Sequence, residues 1–355
     1  MSTRIGHSSC RKTDTLGNAA LSPLVGRERE TAMASDVLSR DDVRLLTLTG
    51  PGGIGKTRLG LEIAARLREN YADGVRIIPL AEVQHAGLVA SSIAEHLGLP
   101  ETGGGDRHEA LLVALRGAHL LLVLDNFEHV LDAAPLVSNL LATCPRLEVL
   151  VTSRALLRVR GEHAQPVSPL KLPDVAPDPS VEQAAASAAV RLFVDRAQAI
   201  APSFTLTAAN APVVASICRR LDGLPLAIEL AASQVTVLPP YALLAHLEAR
   251  LPLPVDGPRD APDRQRTMSN AIAWSYALLS PDEQRLFRRV AVFTGGFQLD
   301  AAEAVSTKRS TGVEPAGREP GAAGWGRGCA LHHAGNDSHV RARTTRHPRR
   351  ARRIL

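Results

Sequence analysis

Nearly unbroken apolar runs recur along the first half of this chain, at Val43 to Leu48, Val75 to Leu80, Leu120 to Asp125 and Leu147 to Arg154. Between and after them, around residues 56–70, 88–97, 109–116 and 134–142, apolar positions return every three or four residues instead. A spacing of 3.6 is that of a helix with one buried face, and a short continuous run is that of a strand buried on both. Alternation of the two predicts an α/β domain with a doubly wound parallel sheet. The character changes after the proline-rich segment Lys171 to Ser180, which reads as a linker. Residues 187–250 are rich in Ala, Leu and Arg at helical spacing and are interrupted by Pro202, Pro212, Pro225 and Pro239-Pro240, which predicts about four short helices. A second proline-rich break, Leu251 to Arg266, separates these from Thr267 to Leu279 and from a helix with Ser280 as its N-cap and Pro281 at its first position. Beyond Ser306 the composition turns to Gly, Ala, Arg, Pro and His without aliphatic periodicity, as in a disordered basic tail. The abruptness of that switch also fits an out-of-frame translation.

Between the first apolar run and the helix that follows, Gly50-Pro51-Gly52-Gly53-Ile54-Gly55-Lys56-Thr57 spells a complete G-x-x-x-x-G-K-T phosphate loop. Glycines bare the backbone so that successive N–H groups can surround a β-phosphate at a helix N-terminus. Lys56 would reach the β and γ oxygens, and the Thr57 hydroxyl would ligate Mg²⁺. A glycine turn beside a surface lysine is the plainer reading, and the strand-then-helix setting argues against it. In such a sheet a carboxylate at the end of a neighbouring strand can hold the metal, directly or through water. Asp125 has that place, although an Asp after an apolar run can also be a strand terminator or helix cap. Hydrolysis needs a group that orients or deprotonates water. Asn126 stands where an acidic base would often be found, and Glu128 is the nearest carboxylate, so slow turnover is expected. Arg154 ends the next strand and should emerge on the same edge as Lys56 and Asp125, within reach of a γ-phosphate, or else be one exposed arginine beside Arg158 and Arg160.

With 355 residues, 45% of them hydrophobic, the chain can form two or three domains. Its net charge of +5 is local. Thr307 to Leu355 hold eleven Lys/Arg against three Asp/Glu, leaving thirty against thirty-three before them. A slightly acidic body gives no support to DNA binding by the core. No run approaches the roughly 20 apolar residues of a membrane span, and Ser2 to Asn18 lacks the apolar centre of a signal peptide. These features lead us to expect a cytoplasmic protein with no membrane partner. Four scattered cysteines, Cys10, Cys144, Cys218 and Cys329, suggest neither a zinc site nor disulfides.

Leu24-Val25-Gly26-Arg27-Glu28, the phosphate loop, Leu122 to Asn126, Val151-Thr152-Ser153-Arg154 and Gly223-Leu224-Pro225-Leu226-Ala227 resemble, in order and spacing, the nucleotide-binding core of STAND ATPases of the NB-ARC type. The likeness is nearest to the cores of bacterial LuxR-type and SARP-type transcriptional regulators and runs from about Leu21 to Ser306. It implies an ATP/ADP switch that self-associates when ATP replaces ADP. It further implies that Val25 and Arg27 hold the adenine and ribose end, Arg58 follows the loop, Arg154 is the first sensor and Pro225 packs on adenine. The expected domains are 1–20 without a fold, a P-loop nucleotide-binding domain over 21–170, a helical ARC-like domain over 181–255, a partial winged-helix domain over 262–306 and the tail 307–355. Taken as residues alone, Val25-Gly26-Arg27 is equally a turn before a helix, Gly223-Leu224-Pro225 a helix break, and Trp274, Tyr276 and Phe287 core. The pattern departs from the family at Asn126, in place of a second acidic residue, and ends before the motif that closes the winged helix in relatives. No DNA-binding domain is expected before Leu21. Two other functions fit the loop alone: a metabolic kinase or ATP-dependent ligase, for which no convincing base or paired carboxylates are visible, and a DNA-binding regulator acting through the winged helix and basic tail.

Overall fold

Strands β1 (Leu45–Thr49), β2 (Val75–Pro79), β3 (Leu120–Asp125), β4 (Leu147–Ser153) and β5 (Glu162–Pro166) make one parallel sheet in the spatial order β2-β3-β4-β1-β5. This is seen in a computed structural model that describes residues 23–100, 107–173, 179–249, 267–277, 279–293 and 298–307. The expected disordered segments 1–20 and beyond Thr307, the glycines 103–105 and the break at 251–266 lie outside the described residues. Helices α1 (Glu28–Leu38), α2 (Lys56–Leu67), α3 (Val89–His96), α4 (Arg107–Leu115) and α5 (Ala134–Thr143) complete the first of two compact units, which ends at Ser168.

Strand alternation divides the sheet between two cores. Leu45, Leu122, Leu124, Val149 and Val151 pack in one cluster with Ile93 of α3, Leu111 of α4, and Val137 and Leu140 of α5. Each fully buried aliphatic side chain of this kind contributes about 1.5–3 kcal/mol. The opposite face takes α2. A Cβ on Gly60 of that helix would lie 3.2 Å from Thr152 Cγ2 and 3.8 Å from Leu48 Cδ1, so glycine lets the helix approach the sheet closely. Covered on both faces, β1, β3 and β4 read as nearly continuous apolar runs. The register sets Leu48 beside Thr152, Leu124 beside Val151 and Pro79 beside Asp125. β1, β3 and β4 therefore finish along one edge, with β4 between the strand that feeds the phosphate loop and the strand that ends in Asp125. Strand β5 was not apparent in the sequence. It reads Glu-His-Ala-Gln-Pro, and its side chains tie it down: Glu162 Oε1 accepts from Thr47 Oγ1 at 2.7 Å, and Gln165 Nε2 donates to the Glu30 carbonyl at 2.9 Å.

In the second unit all regular elements among the described residues are helices: α6 (Val181–Ala185), α7 (Ala188–Ile200), α8 (Ala211–Arg220), α9 (Pro225–Ala232), α10 (Pro240–Glu248), α11 (Met268–Ala277), α12 (Pro281–Val290) and α13 (Leu299–Thr307). Prolines open α9, α10 and α12 where the sequence placed breaks, since a first-turn proline forfeits no hydrogen bond. Ser280 caps α12 in a capping box with Glu283. Gly223 has φ +67°, and a Cβ there would lie 2.5 Å from the Leu170 carbonyl oxygen. Leu170 N in turn donates to the Gly223 carbonyl at 3.0 Å, so this glycine clasps the start of the unit. Phe287 and Tyr276 meet edge to face at 5.8 Å. The side chain of Trp274 lies outside the described residues.

Candidate nucleotide-binding site

The loop from Gly50 to Gly55 leaves β1 and turns into α2 through glycines that no other residue could replace cheaply. Gly53 and Gly55 have φ +77° and +92°, and a Cβ on Gly50 would lie 3.0 Å from the Val167 carbonyl. Gly55 sits at the N-cap of α2, so the unsatisfied first-turn amides of that helix open onto the loop, with the positive end of its dipole. Ile54 is fully buried and anchors the loop from beneath, while Gly52 and Gly53 remain partly exposed. Lys56 begins the helix and bends back, its Nζ donating to the Gly50 carbonyl at 2.8 Å and the Pro51 carbonyl at 3.1 Å. Burial lowers its pKa to about 8; Glu128 and Asp125 act in the other direction, and the Arg154 guanidinium adds to the lowering.

Thr57 Oγ1 donates to Asp125 Oδ1 at 2.8 Å, bringing together the two side chains expected to hold a metal. The same carboxylate oxygen accepts from Thr152 Oγ1 at 2.5 Å, and Thr152 Oγ1 accepts from Asn126 N at 3.0 Å. Thr152 thus belongs to the site, a role that the motif Val151-Thr152-Ser153-Arg154 does not by itself reveal. The signal in the sequence is a hydroxyl residue directly after the apolar Val149-Leu150-Val151 run of β4. Asn126 occupies the left-handed region at φ +63°, a conformation that asparagine tolerates better than most residues. Backbone geometry thus supplies a reason for asparagine at that position. The turn it makes leads into a short 3₁₀ segment, Phe127–His129, with Phe127 fully buried. Glu128 follows and pairs with Arg154, whose Nε lies 3.1 Å from Glu128 Oε1. The carboxylate side chain is only 5% exposed, and its Oε2 is buried and accepts no hydrogen bond among the described residues.

Arg27 is 3% exposed, and its guanidinium is committed to the protein: NH1 donates to the Ser168 carbonyl at 2.7 Å and to Glu30 Oε1 at 2.8 Å, and NH2 to the Ile54 carbonyl at 3.1 Å. It therefore braces the phosphate loop directly. Val25 is half-buried just ahead of it, beside Gly26 at φ +69°. Arg58 reaches back from α2 to the Pro23 carbonyl at 3.2 Å. Pro225 is the first residue of α9 in the second unit and is half-buried there.

Lys56, Thr57, Asp125, Glu128 and Arg154 are thus gathered at one sheet edge around a glycine loop and a helix N-terminus. Two hydroxyl and carboxylate oxygens 2.8 Å apart form a hard oxygen donor set that suits Mg²⁺, and the buried unpartnered Glu128 Oε2 is an acceptor without a donor. The residues fit a magnesium nucleotide, and loop, order of strands and site together are those of a P-loop ATPase fold. No helix among the described residues is long and apolar enough to cross a membrane.

No family model matches the sequence. The chain is similar to an uncharacterised protein of Mycobacterium tuberculosis, with 41% identity over 286 residues that make up 80% of this chain and 69% of that protein. It is also similar to a second M. tuberculosis protein, named "Putative HTH-type transcriptional regulator", with 42% identity over 264 residues, 74% of this chain and 28% of the regulator. The chain thus spans little more than a quarter of that longer relative. Among solved structures, a signal transduction ATPase with numerous domains and a tetratricopeptide repeat sensor from Pyrococcus horikoshii shares 18% identity at a TM-score of 0.34, over 79% of this chain and 36% of that one.

Proposed function

This chain belongs to the family of the uncharacterised mycobacterial protein that it matches across most of both lengths, and from that premise we propose that it is the ATP/ADP-binding switch core of a STAND-type transcriptional regulator acting in the cytoplasm. The observation that carries the reading is the convergence of Lys56, the Thr57–Asp125 pair and the Glu128–Arg154 pair at the mouth of one phosphate loop. The kinship with a longer protein named as an HTH-type regulator supports the regulatory half of it.

In this reading the α2 amides and Lys56 bind the β-phosphate, while Thr57 and Asp125 hold Mg²⁺, which when bound neutralises phosphate charge and orients the terminal group. Lys56 exchanges the Gly50 and Pro51 carbonyls for phosphate oxygens. Arg27 keeps the loop in shape from below, and Thr152 fixes the direction of the Asp125 carboxylate. Val25, from the segment ahead of α1, holds the adenine end, whereas the guanidinium of Arg27 is taken up by Ser168, Glu30 and Ile54. Arg154 meets the γ-phosphate. Glu128 orients the attacking water and takes its proton. The water oxygen bonds to the γ-phosphorus as the bond to the β–γ bridging oxygen breaks, which yields ADP and inorganic phosphate. Asn126 supplies no second carboxylate, so hydrolysis is slow and the bound nucleotide serves as a state marker. A change of state follows from unequal affinity of the two nucleotides for two arrangements of the protein, and the ATP form self-associates.

The test is Lys56→Ala with a fluorescent adenine nucleotide. Removal of the ammonium should abolish measurable binding of both ATP and ADP. Undiminished affinity would overturn the site assignment.

A further inference from the structure

Four charged groups share the mouth of the loop: Lys56 and Arg154, Asp125 and Glu128. Three have evident work in holding phosphate or metal, but Glu128 is an anion placed beside the path of an anionic ligand. It is 5% exposed, against 21% for Arg154, so the pair is largely shielded from water and each partner matters to the other. Among the charges that act on Lys56, that of Glu128 is the strongest. Arg154 Nε donates to Glu128 Oε1 at 3.1 Å, and the second carboxylate oxygen accepts nothing among the described residues. The guanidinium is able to take a two-pronged anionic partner. A terminal phosphoryl group, with several oxygens and more charge than a carboxylate, is a stronger competitor for it.

Resting on the nucleotide-site reading above, we infer that Glu128 is the residue that sets the preference between diphosphate and triphosphate, because a γ-phosphate must take Arg154 away from it. ADP, which ends at the β-phosphate, leaves the Arg154–Glu128 bridge intact and binds without that exchange. ATP breaks the bridge and adds negative charge beside a carboxylate that has just lost its counter-ion. The same event frees Glu128 Oε1, so that neither carboxylate oxygen is then held by the guanidinium. One ion pair therefore biases the resting site toward ADP and supplies the water-orienting carboxylate only when a γ-phosphate is present.

The experiment is a titration of the full chain, with Mg²⁺, by ADP and by a non-hydrolysable ATP analogue, for wild type, Glu128→Gln, Arg154→Met and the double variant. Glu128→Gln should shift the affinity ratio toward the triphosphate by about tenfold while lowering ATP turnover, two opposite movements that a merely structural residue would not produce. In the Arg154→Met background the added Glu128→Gln change should move the ratio less than twofold. Glu128→Asp, one methylene too short to keep the bridge, guards against a folding defect of the glutamine variant and should shift the ratio in the same direction. An unshifted ratio with nucleotide still bound, or a full shift that survives without Arg154, overturns the inference and leaves the site reading standing. Failure of the wild type to bind either nucleotide overturns both.

Discussion

Thr152→Val is the substitution that asks most of the site's architecture, because it removes one hydroxyl and nothing else of comparable size. That hydroxyl is 1% exposed as a residue, donates to Asp125 Oδ1 at 2.5 Å and accepts from Asn126 N at 3.0 Å. A hydrogen bond to a charged group is worth about 1.5–3 kcal/mol, and a partly buried amide left without its acceptor costs about 1 kcal/mol more. Asp125 keeps its bond from Thr57, so the loss is partial. The expected destabilisation of the first unit is about 2–4 kcal/mol. Thr152→Ser keeps the hydroxyl and loses the methyl that faces Gly60 of α2, at about 1 kcal/mol. The assay is urea unfolding of the full chain followed by far-UV circular dichroism. Amide exchange in the Leu120–Asp125 strand identifies the transition that belongs to this unit. Affinity for the magnesium nucleotide should fall with stability in the valine variant and stay near wild type in the serine one. A valine variant within about 0.5 kcal/mol of wild type, with unaltered nucleotide affinity, would refute the role given to Thr152.

Three further outcomes are expected. Lys56 carries a pKa lowered to about 8, chiefly by burial, and bound phosphate favours its charged form; nucleotide affinity should therefore be level below pH 8 and decline above it, approaching tenfold per pH unit, as read by calorimetric titration across pH 6.5–9.5. An affinity that rises with pH over that range contradicts the assignment. Gly223→Ala sets a Cβ 2.5 Å from the Leu170 carbonyl at φ +67° and should destabilise the second unit by about 2 kcal/mol or more, seen in thermal unfolding. Asn126→Val forces a β-branched residue to φ +63° and should cost about 1–3 kcal/mol, whereas Asn126→Gly should cost less, a contrast measurable in the same melt.

The parts of the fold that could be read from sequence are those where one physical cause dominates. β1, β3 and β4 announce themselves because both faces of each are buried, and Leu120 to Asp125 is a strand over the same residues that the apolar run marks. The proline and serine boundaries of α9, α10 and α12 were legible because first-turn chemistry is local. β5 was not, because its sequence is polar and its place depends on the side-chain bonds of Glu162 and Gln165 to residues more than a hundred positions away. Within the site, Lys56, Thr57 and Asp125 could be named from motif and strand end alone. The Arg154–Glu128 bridge required the left-handed turn at Asn126, and the braces supplied by Arg27 and Thr152 required the register between β3, β4 and the loop. Such long-range partners leave no periodic trace.

The most direct test of the central claim is the nucleotide that the protein carries through purification, released by denaturation and identified by mass spectrometry in wild type and in Lys56→Ala. Wild-type chain should carry ADP in a ratio near one to one, and the variant none. A wild-type chain that carries no adenine nucleotide and takes up none when it is supplied with Mg²⁺ would contradict it.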